Sequence, residues 1–405
     1  MRSRWIAACV EVAGLATLAL ACGTSGSAGP ASSSSHGSTA SGTVQGTRVA
    51  TGSGSSVTSS ASTSSAAASV TSTSTSVTSS SEASSSTASS STATLAAPPA
   101  PGPTNAPNGT ATVTFAVSKL YIGDTDPDGT PDHSNGWTRY GFNIDGVASS
   151  NLAGFCKPVD NASPQQVHGE GPSGIENSWG HNILPILLGI AANTSTKLNA
   201  GIASGSYTQL FSLGALGAGS SYNPIASQVT QGGALLATPK FDGTDVWPSV
   251  QGTTVTLGSS YLTGNTWVSA PAGSSVSIPW FTLGSLGATT TLTINHAVVS
   301  MSLDAAHANA TRGVISGVIN TQAYIAQIKA TAGTLDPSFC SPGNVTLESV
   351  AAQIAQASDI MSDGTQDPTQ TCDGISIGLG FDGALVQVGA AVAPTSPPNP
   401  CADGG

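Results

Sequence analysis

From residue 110 onward, apolar and polar residues alternate in many short runs. Residues 112–117 alternate and lead into Lys119-Leu120-Tyr121-Ile122. Residues 253–257, 266–268, 276–278, 290–294 and 374–379 repeat the pattern. A period of two, cut by Gly, Pro and Asn, marks half-buried strands. The expected fold is mainly β, a β-sandwich or jelly-roll-like domain with two or three short peripheral helices. Asn320 is placed to cap a helix over 321–331, with Tyr324, Ile325 and Ile328 at helical spacing. Thr346 is read as the cap of a second, 347–361, whose apolar face carries Leu347, Val350, Ile354 and Ala357. A third, short one covers 182–188, with Pro185 tolerated near its start. Residues 211–218 and 281–288 echo each other, but Gly and Ala are so abundant that no domain split follows from it.

The front of the chain is different. Arg2 and Arg4 precede an apolar run over 5–21 that is too short and too badly flanked for a spanning helix. It reads as a signal peptide. The run ends Leu18-Ala19-Leu20-Ala21-Cys22-Gly23, which resembles the bacterial lipoprotein signal, with Ala19 where Leu is usual. The resemblance implies lipidation of Cys22, and Gly23 rather than Asp after it implies the outer membrane. From Gly23 the chain is mostly Ser, Thr, Ala and Gly, with Arg48 and Glu82 as its charged residues. Such a stretch buries too little apolar area to offset the entropy of ordering its backbone. The expected organisation is a signal peptide at 1–21, a lipidated stalk at 22–109, a β-rich body at 110–393 and a Pro-rich tail at 394–405.

Charge sharpens this picture. Charged residues are 8% of the chain, and the net charge of -11 falls on the body. That excludes a nucleic-acid partner, which needs clustered Lys and Arg. The expected partners are the bilayer, through the acylated N-terminus, and a surface glycan or protein. The body's Cys156, Cys340, Cys372 and Cys401 suit two disulfides in an exported chain. Of three pairings, Cys340–Cys372 with Cys156–Cys401 is expected, because the first brackets the second helix.

Candidate chemistry begins at 124–132. Asp124, Asp126, Asp128 and Asp132 occupy loop positions 1, 3, 5 and 9, with Gly129 at 6 and the Thr130 carbonyl at 7. That is an oxygen-ligand order for Ca²⁺. Asn135 stands where an EF-hand needs Glu, so the loop resembles instead the calcium loops of thrombospondin type 3 repeats and dockerins. Two further blocks, 140–146 and 168–182, concentrate acids, amides and aromatics. Asp145, Glu176 and Asn177 would complete a metal site if brought together, with His168 and His181 as weaker ligands. Trp137 and Trp179 are the candidates for stacking on a sugar. Glu170 and Glu176 form the carboxylate pair a glycosidase would need. Asp359, Asp363 and Asp367 read as a solvated loop. No His-Glu-x-x-His helix or phosphate loop occurs.

The Gly-Asp-Thr-Asp opening at Gly123, the 140–146 and 174–182 blocks, and Phe339-Cys340 resemble uncharacterised secreted lipoproteins of myxobacteria. So do Asp359-Ile360-Met361 and 372–381. That resemblance implies an exported location and two disulfides, and carries no catalytic residue. Glu170 and Glu176 stand where it would place Asp. The expected function is a non-catalytic cell-surface lipoprotein with a calcium-stabilised β-rich domain that binds glycan or another surface ligand. A structural or adhesive envelope protein and a glycosidase-like enzyme are the alternatives.

Overall fold

A computed structural model describes residues 96–148, 152–160, 162–190, 192–269, 278–280, 292–333, 337–394 and 401. Cys22, the leader and the Ser/Thr-rich stretch up to residue 95 lie outside them. So does the second copy of the 211–218 echo. Within the described residues the alternating runs become strands, and eight of these join edge to edge. β1 (Val113–Tyr121) pairs β2 (Thr208–Leu213), which pairs β3 (Tyr222–Gly232). β4 (Val246–Val250) stands aside, and β3 continues the ring with β5 (Val255–Thr263) and then β6 (Thr266–Ser269). β7 (Ile278–Trp280) is a side branch on β8 (Leu292–Leu303), the partner of β6. β9 (Asn309–Asn320) and β10 (Gly374–Val392) follow, and β10 returns to β1 with Phe115 opposite Leu385. Every pairing in this ring is antiparallel.

The mainly β expectation stands. The sandwich or jelly roll is replaced by a closed eight-stranded barrel. Closure removes the open strand edges that a flat sheet must otherwise protect. An eight-stranded barrel is just wide enough to be filled by side chains. Here Phe115, Phe211, Trp267, Met301, Ile315 and Phe381 fill it, each at most 1% exposed. The Phe211 ring lies 5.2 Å from Phe381 and 6.1 Å from Trp267, on strands that are not neighbours, so the rings meet across the interior. The other parity of the same strands makes a second, outer core. Ala116, Leu210 and Val386 pack under Trp247 of β4, which runs parallel to the far end of β10.

The helices are short and outside the ring. α1 (Pro164–Val167) is one turn, and α2 (Leu184–Ile190) follows a wide turn over Trp179–Ile183. α2 corresponds to the expected short helix, shifted toward the C-terminus, with Pro185 in its first turn. α3 (Thr194–Ala203) has no counterpart among the expected elements. α4 (Thr321–Ala332) starts at the expected cap: the Asn320 side chain accepts from the Ala323 N–H. α5 (Val345–Gln356) corrects the second helix. Its cap is Asn344, which accepts from the N–H groups of Thr346 and Leu347, and the helix stops before residue 361. Residues beyond Gln356 leave the helix because Asp359 and Ile360 pair with the start of β10. Lys329 reaches Glu348 at 2.7 Å and ties α4 to α5.

The cysteine pairing differs from expectation. The bonds are Cys156–Cys372 and Cys340–Cys401, so all four cysteines are used but the partners are exchanged. The reason is local. Lys157 bridges Thr371 and its carbonyl accepts from Cys372, which puts Cys156 beside the lead-in to β10. The body also begins earlier than residue 110. Ala96 is bonded to Ser173 and Asn143, and the carbonyls of Pro99 and Gly102 accept from Tyr261 and Asn223.

Candidate functional site

β1 ends at Tyr121, and Gly123 (φ +103°) turns the chain so that Asp124 points inward. Positive φ is cheap only for Gly. The acidic loop then closes on itself as a small hairpin. Asp126 N–H donates to Thr130 O at 2.8 Å, and Asp132 N–H to Asp124 O at 2.9 Å. The four carboxylates of this loop go to four different tasks. Asp126 accepts from Arg139 Nε at 2.9 Å. Asp128 accepts from the Thr130 N–H, and Asp132 from the N–H groups of Ser134 and Asn135. Asp124 is buried, at 5% exposed, and lines a separate cleft. The Thr130 carbonyl, the expected seventh-position ligand, is taken by Asp126 N–H. Among the described residues no group of three or more His, Cys, Asp or Glu is placed to hold a metal ion.

The Asp128 turn recurs where no acidic cluster exists. Asp242 accepts from Thr244 N–H, Asp363 from Thr365 N–H and Asp367 from Thr369 N–H. An Asp side chain bonding the backbone two residues on is a turn device in its own right. These hydrogen bonds favour the ionised form and hold all four carboxyls below their usual pKa. Asp363 and Asp367 thus lie where a solvated loop was expected. Asp359 does not, at 6% exposed and bonded to Ser376 through both backbone N–H and hydroxyl.

The blocks 140–146 and 174–182 do meet, against β10. Glu176 accepts from Ile144 N–H at 2.9 Å and is 3% exposed. Burial, together with the charges of Asp145 and Asp359, pushes its pKa well up. Burial likewise pushes Asp359 up to about 7. The acids whose charges raise the Glu176 pKa include Asp145 and Asp359. Gln366 donates to Asp145 at 2.8 Å and to the Asp359 carbonyl at 3.2 Å, which closes the junction from the loop side. Beside it, His168 Nε2 lies 3.1 Å from Cys156 O, and burial lowers its pKa. A catalytic carboxylate pair needs substrate access. Glu176 and Asp359 are closed in.

Asn177 holds this region together and is fully buried. Its Nδ2 donates to the carbonyls of Trp137, Tyr140 and Gly378, at 3.1, 3.3 and 2.9 Å. Its Oδ1 accepts from the N–H groups of Gly180 and Gly378, at 2.9 and 3.0 Å. Gly378 is needed here because any Cβ would collide with the Tyr140 carbonyl. Sequence reasoning placed Asn177 among metal ligands, and the structure makes it a backbone clamp instead.

The aromatic candidates have moved inward. Trp137 is 7% exposed and stacks on His181, with ring centroids 4.5 Å apart. Trp179 is 5% exposed and donates to Tyr324 Oη at 3.2 Å. Trp247 and Trp267 are fully buried. None offers an open ring face for a sugar. Their apolar area explains this placement, and the N–H groups of Trp137, Trp179 and Trp247 find partners while that of Trp267 does not.

A concavity that holds a polar group lies beside the acidic loop. A cleft of about 380 Å³ opens between the acidic loop and α2. Asp124 and His133 line one side, and Gly180, Leu184, Pro185 and Leu188 the other. It holds a single carboxyl, whereas glycoside hydrolysis takes two. No family model, curated protein or solved structure matches the chain. No helix among the described residues is long and apolar enough to cross a membrane.

Proposed function

We propose that the chain is a non-catalytic protein held at the outer surface of a membrane by a lipid on Cys22, with the barrel as a rigid display body. The observation that carries this reading is the filled barrel. Aromatic and aliphatic side chains occupy its interior, so it is not a carrier of the lipocalin kind. The acids that catalysis would use are spent on turns or closed into the Glu176–Asp359 junction. Two disulfides suit an oxidising, extracytoplasmic compartment. The anchor itself rests on the residues around Cys22. It is tested by detergent-phase partitioning and intact mass of the full chain expressed in a bacterial host. Wild type is expected in the detergent phase with an acyl mass added, and Cys22→Ala in the aqueous phase without it. An unacylated wild type in the aqueous phase would remove the anchor.

Calcium is not part of this proposal. One oxygen of Asp126 is held by Arg139 and one of Asp132 by two N–H groups, so a cation would share these carboxylates with their present donors. We expect the thermal midpoint to be the same in Ca²⁺ and in chelator. A midpoint that rises with Ca²⁺ in wild type but not in Asp126→Asn would restore the metal.

A further inference from the structure

We propose that the cleft lined by Asp124 is a binding site for a small primary ammonium compound with a compact apolar body. Two independent observations converge on it. The first is shape and lining. About 380 Å³ lies within the size range of small-molecule sites, which are mostly apolar with a few placed polar groups. Leu184 and Leu188 stand one helical turn apart and line the cleft together, beside Gly180. The wide turn at Trp179–Ile183 sets this arrangement, and wide helical turns gather at functional sites. Asn177 fixes the turn by accepting from Gly180 N–H.

The second observation is the carboxyl itself. Asp124 is 95% buried, yet its Oδ1 takes no hydrogen bond. Ser195, in the first turn of α3, donates to the carboxyl, and His133 stands near enough to act on it by charge. A buried polar atom without a partner costs on the order of 1–3 kcal/mol, so such atoms are nearly always satisfied. Asp124 is among the residues that line the cleft.

The chemistry selects the ligand. A desolvated carboxylate is best served by a charge-assisted N⁺–H donor. The leucines and Pro185 then cover hydrocarbon. A carboxylate or phosphate ligand would meet Asp124 with like charge. A sugar needs several donors and acceptors, and this lining supplies Asp124 and His133. The net charge of -11 draws small cations toward the surface.

The test uses the full chain and two probes of one shape, benzylamine and benzyl alcohol, with binding followed by calorimetry or ligand-observed NMR at pH 7. Benzylamine is expected to bind at least ten-fold more tightly than the alcohol. Asp124→Asn is expected to abolish that preference, and Leu188→Trp to block both probes without lowering the thermal midpoint. Equal binding of the two probes overturns the proposal, as does an amine preference that survives Asp124→Asn. No saturable binding of either probe also overturns it, and means that Oδ1 is served by water. If Asp124→Asn does not fold, the probe ratio in wild type and its loss in Leu188→Trp decide.

Discussion

Asn177→Leu is expected to destabilise the protein by about 4 kcal/mol or more, with a fall of roughly 10 °C in the thermal midpoint. The substitution keeps the volume but removes every polar contact. The N–H groups of Gly180 and Gly378 and the carbonyls of Tyr140 and Gly378 then lose this partner at a fully buried position, and the Trp137 carbonyl is left with the Tyr140 N–H alone. Each orphaned buried group costs about 1–3 kcal/mol, and water has no room to replace the amide. A total near 4 kcal/mol is a large part of an ordinary stability of about 5–15 kcal/mol. The loss should also be felt at a distance, since Asn177 joins the 136–142 crossing, the wide turn before α2 and β10. Denaturant unfolding followed by far-UV circular dichroism gives the number. A cost below about 1 kcal/mol would mean that the crossing repacks and that Asn177 is no clamp.

The reach of the sequence can be judged on such residues. β1 and β6 were legible because each carries alternation and β-branched or aromatic residues. β3 was not, since Pro224, Ser227 and Gln228 blur its apolar parity. Closure of the ring depends on β1 meeting β10, and no local pattern encodes a pairing that far apart along the chain. The acidic loop shows a different limit. Spacing identified its acids, but not that Gly123 turns Asp124 away from the rest. The Asp-x-Thr recurrence at 128, 242, 363 and 367 was visible, and was the better guide. Asp359 was misread as solvated because its partner, Ser376, is a polar residue inside an apolar strand. That lone Ser between Ile375 and Ile377, both fully buried, was the signal that something polar had to meet it.

The second large effect is a dependence of stability on pH that runs opposite to ordinary acid denaturation. Burial raises the carboxyl pKa values of Glu176 and Asp359 in the folded state, Asp359 from 3.8 to about 7. The folded state therefore holds protons that the unfolded state has released. Stability from these two groups is full below their unfolded pKa values, near pH 4, and is lost as pH rises through their folded ones, about 7 for Asp359. At about 1.36 kcal/mol per pK unit, Asp359 alone contributes at most about 4 kcal/mol over that window. His168 works the other way. Its lowered pKa costs stability as pH falls below 6.5, so it offsets part of the gain. The depressed carboxyls of Asp128, Asp242, Asp363 and Asp367 add stability that is lost only below pH about 3.8. Maximum stability is thus expected near pH 4–5, with a fall of about 2–4 kcal/mol by pH 8. Urea unfolding at pH 4.5, 6 and 8 measures it. Glu176→Gln keeps an acceptor for Ile144 N–H and presents an N–H donor toward Asp145, as the protonated acid does. That variant should match wild type at pH 4.5 and exceed it at pH 8. If wild-type stability instead rises from pH 4.5 to 8, both acids ionise without cost, and the junction is wetter than its burial implies.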